Sequence, residues 1–581
     1  MLRHHLIKGE TANSGRGKIW LMGLLFLQTI FFISHCGKPE QGKVSPPKPA
    51  SEKKIDSHSL GQKDTLVRAL STSPQYLNPV LSSDTTSSSV EELVFDPMVA
   101  IDGSPDSNLV GRLAEKWDIS PDKLTIIFHL RPGIRWHDGE PFTAEDVKFT
   151  FDVAMRKDVP AIGMQSSIEP LQKIEIIDTH KIAFHFRYPF SPGLLGIGST
   201  LIVPKHRLDD QGLVLEAKRR ASDEPVTFLT SGFNRNPIGT GPYIFKEWKT
   251  AQRIRLRRNE NYWDKVHFPK IRTVLFKIIP SSTVAFNIMQ KGELDVMSMR
   301  PVQYLRFKRL ENLHQDFEAV KFYTPSLTYI AWNMRPGRKF FQDVRVRQAM
   351  THAIDRTAFI EKIKFGLGRT VSGPFYFKSW ANDPSIEPLA FDLEKAASLL
   401  KEAGWTDNDG DGLLDKNGVK FEFELLIYSE SATYAQLASI IQANLKQLSL
   451  EVKISVYEWS VYLERYRHGE FDACIGRWSF GVDPDQYGLW HSSQVDLGNN
   501  YIGYRNEVVD KLLEDGRREF NREERQKIYW KIHEILHHDQ PYTFFYSFME
   551  TYILSVRIKN YQVSPFGLFQ FFPGQSSWTL K

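Results

Sequence analysis

From residue 64 onward the apolar positions of the chain alternate between two periods, two residues over short stretches and three to four over longer ones. Leu124–Leu130 sets Ile126, Phe128 and Leu130 on one side of an extended segment that turns at Pro132-Gly133. Ile134 and Trp136 resume before a second turn at Asp138-Gly139, which predicts a strand and a hairpin. Thr143 followed by Asp146 has the spacing of a capping box and predicts a helix to about Arg156. A second helix is expected from near Asp343, with Val346, Met350, Ala353 and Ile354 along one stripe. A third opens on Asp392, buries Leu393, Ala396, Leu399, Leu400 and Ala403, and stops at Gly404. Val274–Ile279 and Phe421–Tyr428 read as strands. No segment repeats at a solenoid or propeller period, so interleaved helices and strands imply mixed α/β domains.

The N-terminus has a different character. A basic stretch precedes the apolar run Ile19–Ile33, which is short for a membrane span of about 20 residues and fits a secretory h-region. Ile33-Ser34-His35-Cys36 resembles a bacterial lipoprotein cleavage box, although His35 stands where a small residue is usual. Residues 1–36 are therefore expected to be a signal peptide, with Cys36 the lipidated first residue of the mature chain. Acyl chains bury about 0.8 kcal/mol per methylene, enough for a multiply acylated cysteine to hold a protein on a membrane. Residues 37–63 are polar and rich in Pro and Lys, with no apolar period, and read as a flexible tether. The body is expected outside the cytoplasm.

Charge and cysteine content narrow the classes further. The formal net charge of +5 sits wholly in the first 63 residues: four basic side chains oppose one acid up to residue 36, and six oppose three in the tether. The remainder is close to neutral, at −1, which removes the electrostatic footprint that nucleic-acid binding needs. Cys36 and Cys474 are the only cysteines, so with Cys36 acylated no internal disulfide is expected.

Two motifs suggest metal chemistry. His533-Glu534-Ile535-Leu536-His537 satisfies HExxH, the zinc-peptidase pattern in which two histidines one turn apart bind zinc and Glu activates water. Ile528, Ile532, Ile535 and Leu536 share one face of that helix, which sets Glu534 and His537 toward the polar side. No third ligand follows at the expected spacing, since position 540 is Gln and 543 is Thr. The run from Asp407 to Asp415 resembles the start of a calcium loop, with Asp407, Asp409, Asp411 and Asp415 as candidate ligands. Position twelve would be Gly418 instead of a bidentate Glu, and a tight polar turn accounts for it better. No cofactor is expected.

Several segments together resemble bacterial extracellular solute-binding proteins of the oligopeptide, dipeptide and nickel type. They include FHLRPGIRWHDGEPFTAEDVKFTFD (128–152), NPIGTGPYIFKEW (236–248), DVRVRQAMTHAIDR (343–356), LEKAASLLKEAGW (393–405), RWSFGVDPDQYGLWHSS (477–493) and EERQKIYWKIHEILHHDQP (523–541). They occur in order and cover nearly everything after residue 70. The resemblance implies a two-lobed, periplasmic-binding-protein type II-like α/β fold of three domains with a ligand cleft between lobes. Domain I would combine 64–94, 201–295 and 545–581, domain II would span 95–200, and domain III 296–544. It also implies a monomer that captures a peptide or peptide-like solute by lobe closure and delivers it to the permease of an ABC importer. A metal chelate or other non-peptide solute is the alternative cargo, and a tethered zinc peptidase the alternative activity.

Carried over by position, the ligand would pair with Thr85, Thr86, Ser87 and Ser88 on one side and the strand around Arg477 and Trp478 on the other. That mode is strand addition, in which main-chain hydrogen bonds give affinity without reading side chains. The polar run 82–89 suits it, having no core-forming pattern. Trp459 would line the cleft, and Arg477 could pair with a ligand carboxylate. Relatives commonly place an Asp three residues after this Trp, to pair with a peptide's α-amino group. Here position 481 is Gly, and Asp483 is the nearest acid.

Overall fold

A computed structural model of the chain describes residues 64–581, apart from 105–106, 162–163, 165–167, 221–224 and 430. The expected signal peptide, Cys36 and the expected tether lie outside the described residues.

The body opens with strand β1 (Thr65–Leu70) and helix α1 (Thr85–Val94). Residues 114–186 then form a small antiparallel sheet, β2 (Ala114–Ile119), β3 (Thr125–Leu130), β4 (Leu171–Asp178) and β5 (Lys181–Phe186), in the order β2-β3-β5-β4. Helix α2 (Ala144–Ala154) covers it, and the predicted capping box is present, with Thr143 N donating to Asp146 Oδ2 at 2.9 Å. Ile126, Phe128, Ile182 and Phe184 meet Val147 and Phe151 in its core.

Three strands, β6 (Tyr243–Lys249), β7 (Arg253–Arg258) and β8 (Thr273–Ile278), return to β1, with β8 parallel to it. On the other side of β1 lies β9 (Val296–Met299), packed under α3 (Ser282–Gln290) and α4 (Pro301–Arg309). β10 (Phe317–Tyr323) leads directly into β11 (Ser326–Trp332). Beyond it α5 (Val344–His352), α6 (Leu393–Glu402) and α7 (Ala432–Lys446) flank β12 (Glu422–Tyr428) and β13 (Glu451–Tyr457). α8 (Trp459–His468), β14 (Ala473–Ser479), α9 (Glu507–Arg518) and α10 (Arg522–Asp539) follow, and β15 (Tyr542–Ser555) closes the sheet.

The large sheet runs β13-β12-β14-β11-β15-β9-β1-β8-β7-β6, with β10 also on β15. β15 is long enough to serve both halves: Tyr542–Tyr546 pairs with β11, and Met549–Ser555 with β10 and β9. Residues 296–323 thus pair with β1 and β15 within the large sheet. The helices that begin at Asp343 and Asp392 are present, each capped by that aspartate. Gly404 ends the second with φ +85°, the left-handed conformation glycine reaches at no steric cost.

One expectation is overturned. The run 82–89 is not free backbone, because Thr85–Ser88 form the first turn of α1. Asp84 caps it, its carboxylate accepting from Thr86 N at 3.0 Å and Ser87 N at 2.9 Å. Hydroxyl-rich first turns hide a helix from pattern reading, since the apolar face (Val90, Leu93, Val94) begins only a turn later. Among the described residues no helix is long and apolar enough to cross a membrane.

Candidate functional site: an aromatic cleft

A cavity of about 1790 Å³ separates two walls of the body. One wall comes from α1, the 95–101 segment, residues 188–201 and the C-terminal stretch 566–576. The other comes from the end of β14 and the loop and helix from Trp478 to Leu489. Aromatic rings dominate: Phe95, Tyr188, Phe190, Trp478, Tyr487 and Phe569 all face it. Such rings supply large contact area with little rotamer freedom to lose. The walls also touch, Ser191 N donating to Arg517 O at 2.7 Å.

Most charged groups in the lining are already occupied. Asp96 accepts from Arg112 Nη2 (3.1 Å), Tyr262 OH (3.0 Å) and Trp263 Nε1 (2.9 Å), and Arg112 also reaches Asp264 at 2.6 Å. That buried network joins three distant stretches of chain behind one wall. Across the cleft Asp485 pairs with Arg517 at 2.8 Å, and beside Tyr188 on the first wall Glu169 pairs with Arg187. Arg68 lies flat between Phe276 and Phe569, donates to Gln575, and is pushed down to about 10 by burial. Glu92, among the lining acids, makes no ion pair or hydrogen bond among the described residues. Its carboxyl opens to the water of the cleft, yet the enclosing protein pushes it up to about 7, with Arg68 opposing.

The predicted site residues divide. Trp478 lines the cleft, its ring stacked on Tyr329 and its Nε1 donating to Tyr542 OH at 3.4 Å. Arg477, its neighbour on β14, points to the opposite face because side chains alternate along a strand; there it donates to Ser326 Oγ at 3.0 Å and lies 4.0 Å from Glu550. Trp459 opens α8 outside the lining, packed on Tyr428 and Tyr462. Asp483 reaches the lining, but both its oxygens are taken by Arg525, at 2.6 and 2.7 Å. Of the run on α1, Ser88 faces the cleft, whereas Thr86 and Ser87 are buried behind it.

The HExxH motif does not present a metal site. His533 is fully buried; its Nδ1 accepts from Asp383 N and its Nε2 bonds Ser372 Oγ, both at 3.1 Å. Both ring nitrogens are used, and burial pushes the imidazole down to about 4. His537 is held by its Nδ1 to Ser372 O at 2.7 Å, and exposed Glu534 pairs with Lys531. In the acidic loop Asp407, Asp409 and Asp415 approach one another, but Lys420 donates to Asp409 at 2.5 Å and pairs with Asp411 at 2.8 Å. An ammonium therefore stands on the carboxylates, and the loop leads into a hairpin (Asp415–Lys416 with Val419–Lys420) instead of an EF helix.

Comparison with known proteins bears directly on the cleft. The family model "Bacterial extracellular solute-binding proteins, family 5 Middle" matches residues 108–499, well over half of the chain. The chain belongs to this family. The oligopeptide-binding protein AppA of Bacillus subtilis is 31% identical over 560 residues, covering 95% of this chain and 97% of its own. The structure of AppA with a nonapeptide superposes with a TM-score of 0.71 at 30% identity, covering 89% of this chain and 99% of AppA. NikZ of Campylobacter jejuni in complex with Ni(L-His) gives 0.72 at 26%, covering 89% and 100%.

As a family 5 solute-binding protein the chain is an extracytoplasmic binding protein, and the mixed α/β architecture agrees. Gly481 faces open space: nothing lies within 4 Å of where a Cβ would stand. Sequence reasoning missed Glu92, Tyr188–Pro192 and the C-terminal aromatic run. PFGLFQFFPG (565–574) was the one visible signal, a dense aromatic stretch without strand alternation.

Proposed function

We propose that the chain is the substrate-binding lipoprotein of an ABC importer that captures oligopeptides in the aromatic cleft and presents them to the membrane permease. The carrying observation is the cleft itself. At about 1790 Å³ it exceeds the 300–1,000 Å³ of drug-sized sites, and its walls are rich in rings, with most of their charges internally paired. Such a surface suits an extended chain held by its backbone and apolar side chains. The nonapeptide bound to AppA supports that ligand size. No histidine lines the cleft among the described residues, which gives a metal chelate less support than a peptide. The apolar run Ile19–Ile33 followed by Cys36 supports a lipid anchor, and lobe closure by one chain supports a monomer.

The test records the melting temperature of the purified protein against free and N-acetylated peptides of increasing length, nickel chelates and sugars. A ligand that binds only the folded state at a hundred times its Kd stabilises by about 2.7 kcal/mol, a shift of a few degrees. Longer peptides should raise the midpoint most, and acetylated copies about as much as free ones. Stabilisation by chelates alone would end the peptide reading.

A further inference from the structure

The free edge of the large sheet carries a second feature. Along β7 strand parity sends Arg253, Arg255 and Arg257 to one face, while Ile254 and Leu256 are fully buried on the other. Beside them lies a cavity of about 420 Å³, lined by Lys246, Arg255, Arg257 and Arg272 against one carboxyl, Asp64. Lys246, Arg257 and Arg272 are exposed, and among the described residues their side chains make no hydrogen bond or ion pair. Glu247 is shared by three cations, Lys249 at 3.4 Å, Arg253 at 3.2 Å and Arg255 at 3.6 Å. Six cations thus meet two acids on one edge, in a body whose net charge is close to −1.

The place of this patch on the chain matters as much as its charge. Asp64 is the first described residue, and its carbonyl accepts from Arg272 N (3.1 Å) and Thr273 N (3.0 Å). The chain therefore enters the body at the basic pocket. Upstream, Lys53, Lys54 and Lys63 add cations to the tether. Only 27 residues separate Cys36 from Asp64, so a body anchored at Cys36 would keep this edge near the membrane.

We propose that this pocket and the β7 arginines dock on the phosphate groups of anionic lipids in the membrane that carries the tether. Guanidinium forks match phosphate oxygens bidentately, and clustered Lys and Arg are drawn to an anionic surface within a Debye length, about 8 Å at physiological salt. Docking would set the body's orientation, and with it the direction in which the cleft opens. The proposal rests on the lipid-anchor reading above.

The test uses the full chain bound to vesicles, with an environment-sensitive dye on Ala251→Cys in the exposed turn between β6 and β7. Cys474 is buried and will not compete for the label. Head-group spin-labelled lipid reports proximity by quenching, on phosphatidylcholine alone and on phosphatidylcholine with phosphatidylglycerol. Quenching is expected to be stronger on the anionic vesicles and to vanish in high salt. The triple variant R255Q/R257Q/R272Q should reduce the docked fraction relative to undocked by roughly tenfold or more, with an unchanged melting temperature. A chain that floats with both vesicles and quenches equally on both, or equally in the triple variant, overturns docking and leaves the anchor standing. A chain that floats with neither overturns both readings.

Discussion

Glu91 and Glu92 are neighbours on α1 with opposite surroundings. Glu91 is buried; its Oε2 accepts from Ser82 Oγ at 2.7 Å, its Oε1 has no partner, and burial pushes its carboxyl up to about 8. A carboxyl whose folded pKa lies above its unfolded value stabilises below the unfolded value and loses that stability as pH rises through the folded one. Stability should therefore fall between about pH 4.5 and pH 8, with a slope of at most about 1.4 kcal/mol per pH unit from this group. Glu92, shifted in the same direction, tilts the profile the same way at lower pH. Urea denaturation at several pH values should show Glu91→Gln with a flatter profile than the parent; parallel profiles would place the titration elsewhere. Gly481 offers a second residue-scale test. Since its Cβ position is empty, Gly481→Asp should change stability by no more than about 0.5 kcal/mol. It should also raise affinity for free over N-acetylated peptides by roughly tenfold, the worth of a charge-assisted hydrogen bond, measured by calorimetry. Equal affinities would show that the slot does not meet the ligand's amino end.

At the scale of elements, the loop after β14 is held by α10 and not by a ligand. Arg525 is buried with its guanidinium on Asp483, its Nε on Gly516 O at 2.8 Å and one Nη on Tyr529 OH at 3.0 Å. Asp483→Ala would leave that charge uncompensated, and breaking one side of a buried pair costs about 3–5 kcal/mol. Chemical denaturation of the ligand-free variant should show this loss; an unchanged midpoint with weakened peptide binding would return Asp483 to the site. The same helix explains why HExxH misleads. Two histidines one turn apart satisfy a pattern, but His533 is spent tying α10 to the 372–383 loop.

For the whole molecule, β15 and the β10–β11 pair pass together between the two halves of the large sheet, so those halves share a common strand. Two adjacent crossings are where a hinge can absorb closure without breaking either core. The sequence by itself determined the mixed α/β class, the capped helices at Thr143, Asp343 and Asp392, and the family, because these rest on local periodicity, caps and ordered motifs. Only the tertiary structure decided that Thr85–Ser88 are helical, that Arg477 and Trp459 stand outside the cleft while Glu92 and the 566–576 aromatics line it, and that Asp483 is occupied. The first is a local cap whose polar first turn hides it from an apolar pattern, whereas the others depend on which residues, tens to hundreds of positions apart, come together, and pairing over such separations leaves no periodic trace along the chain.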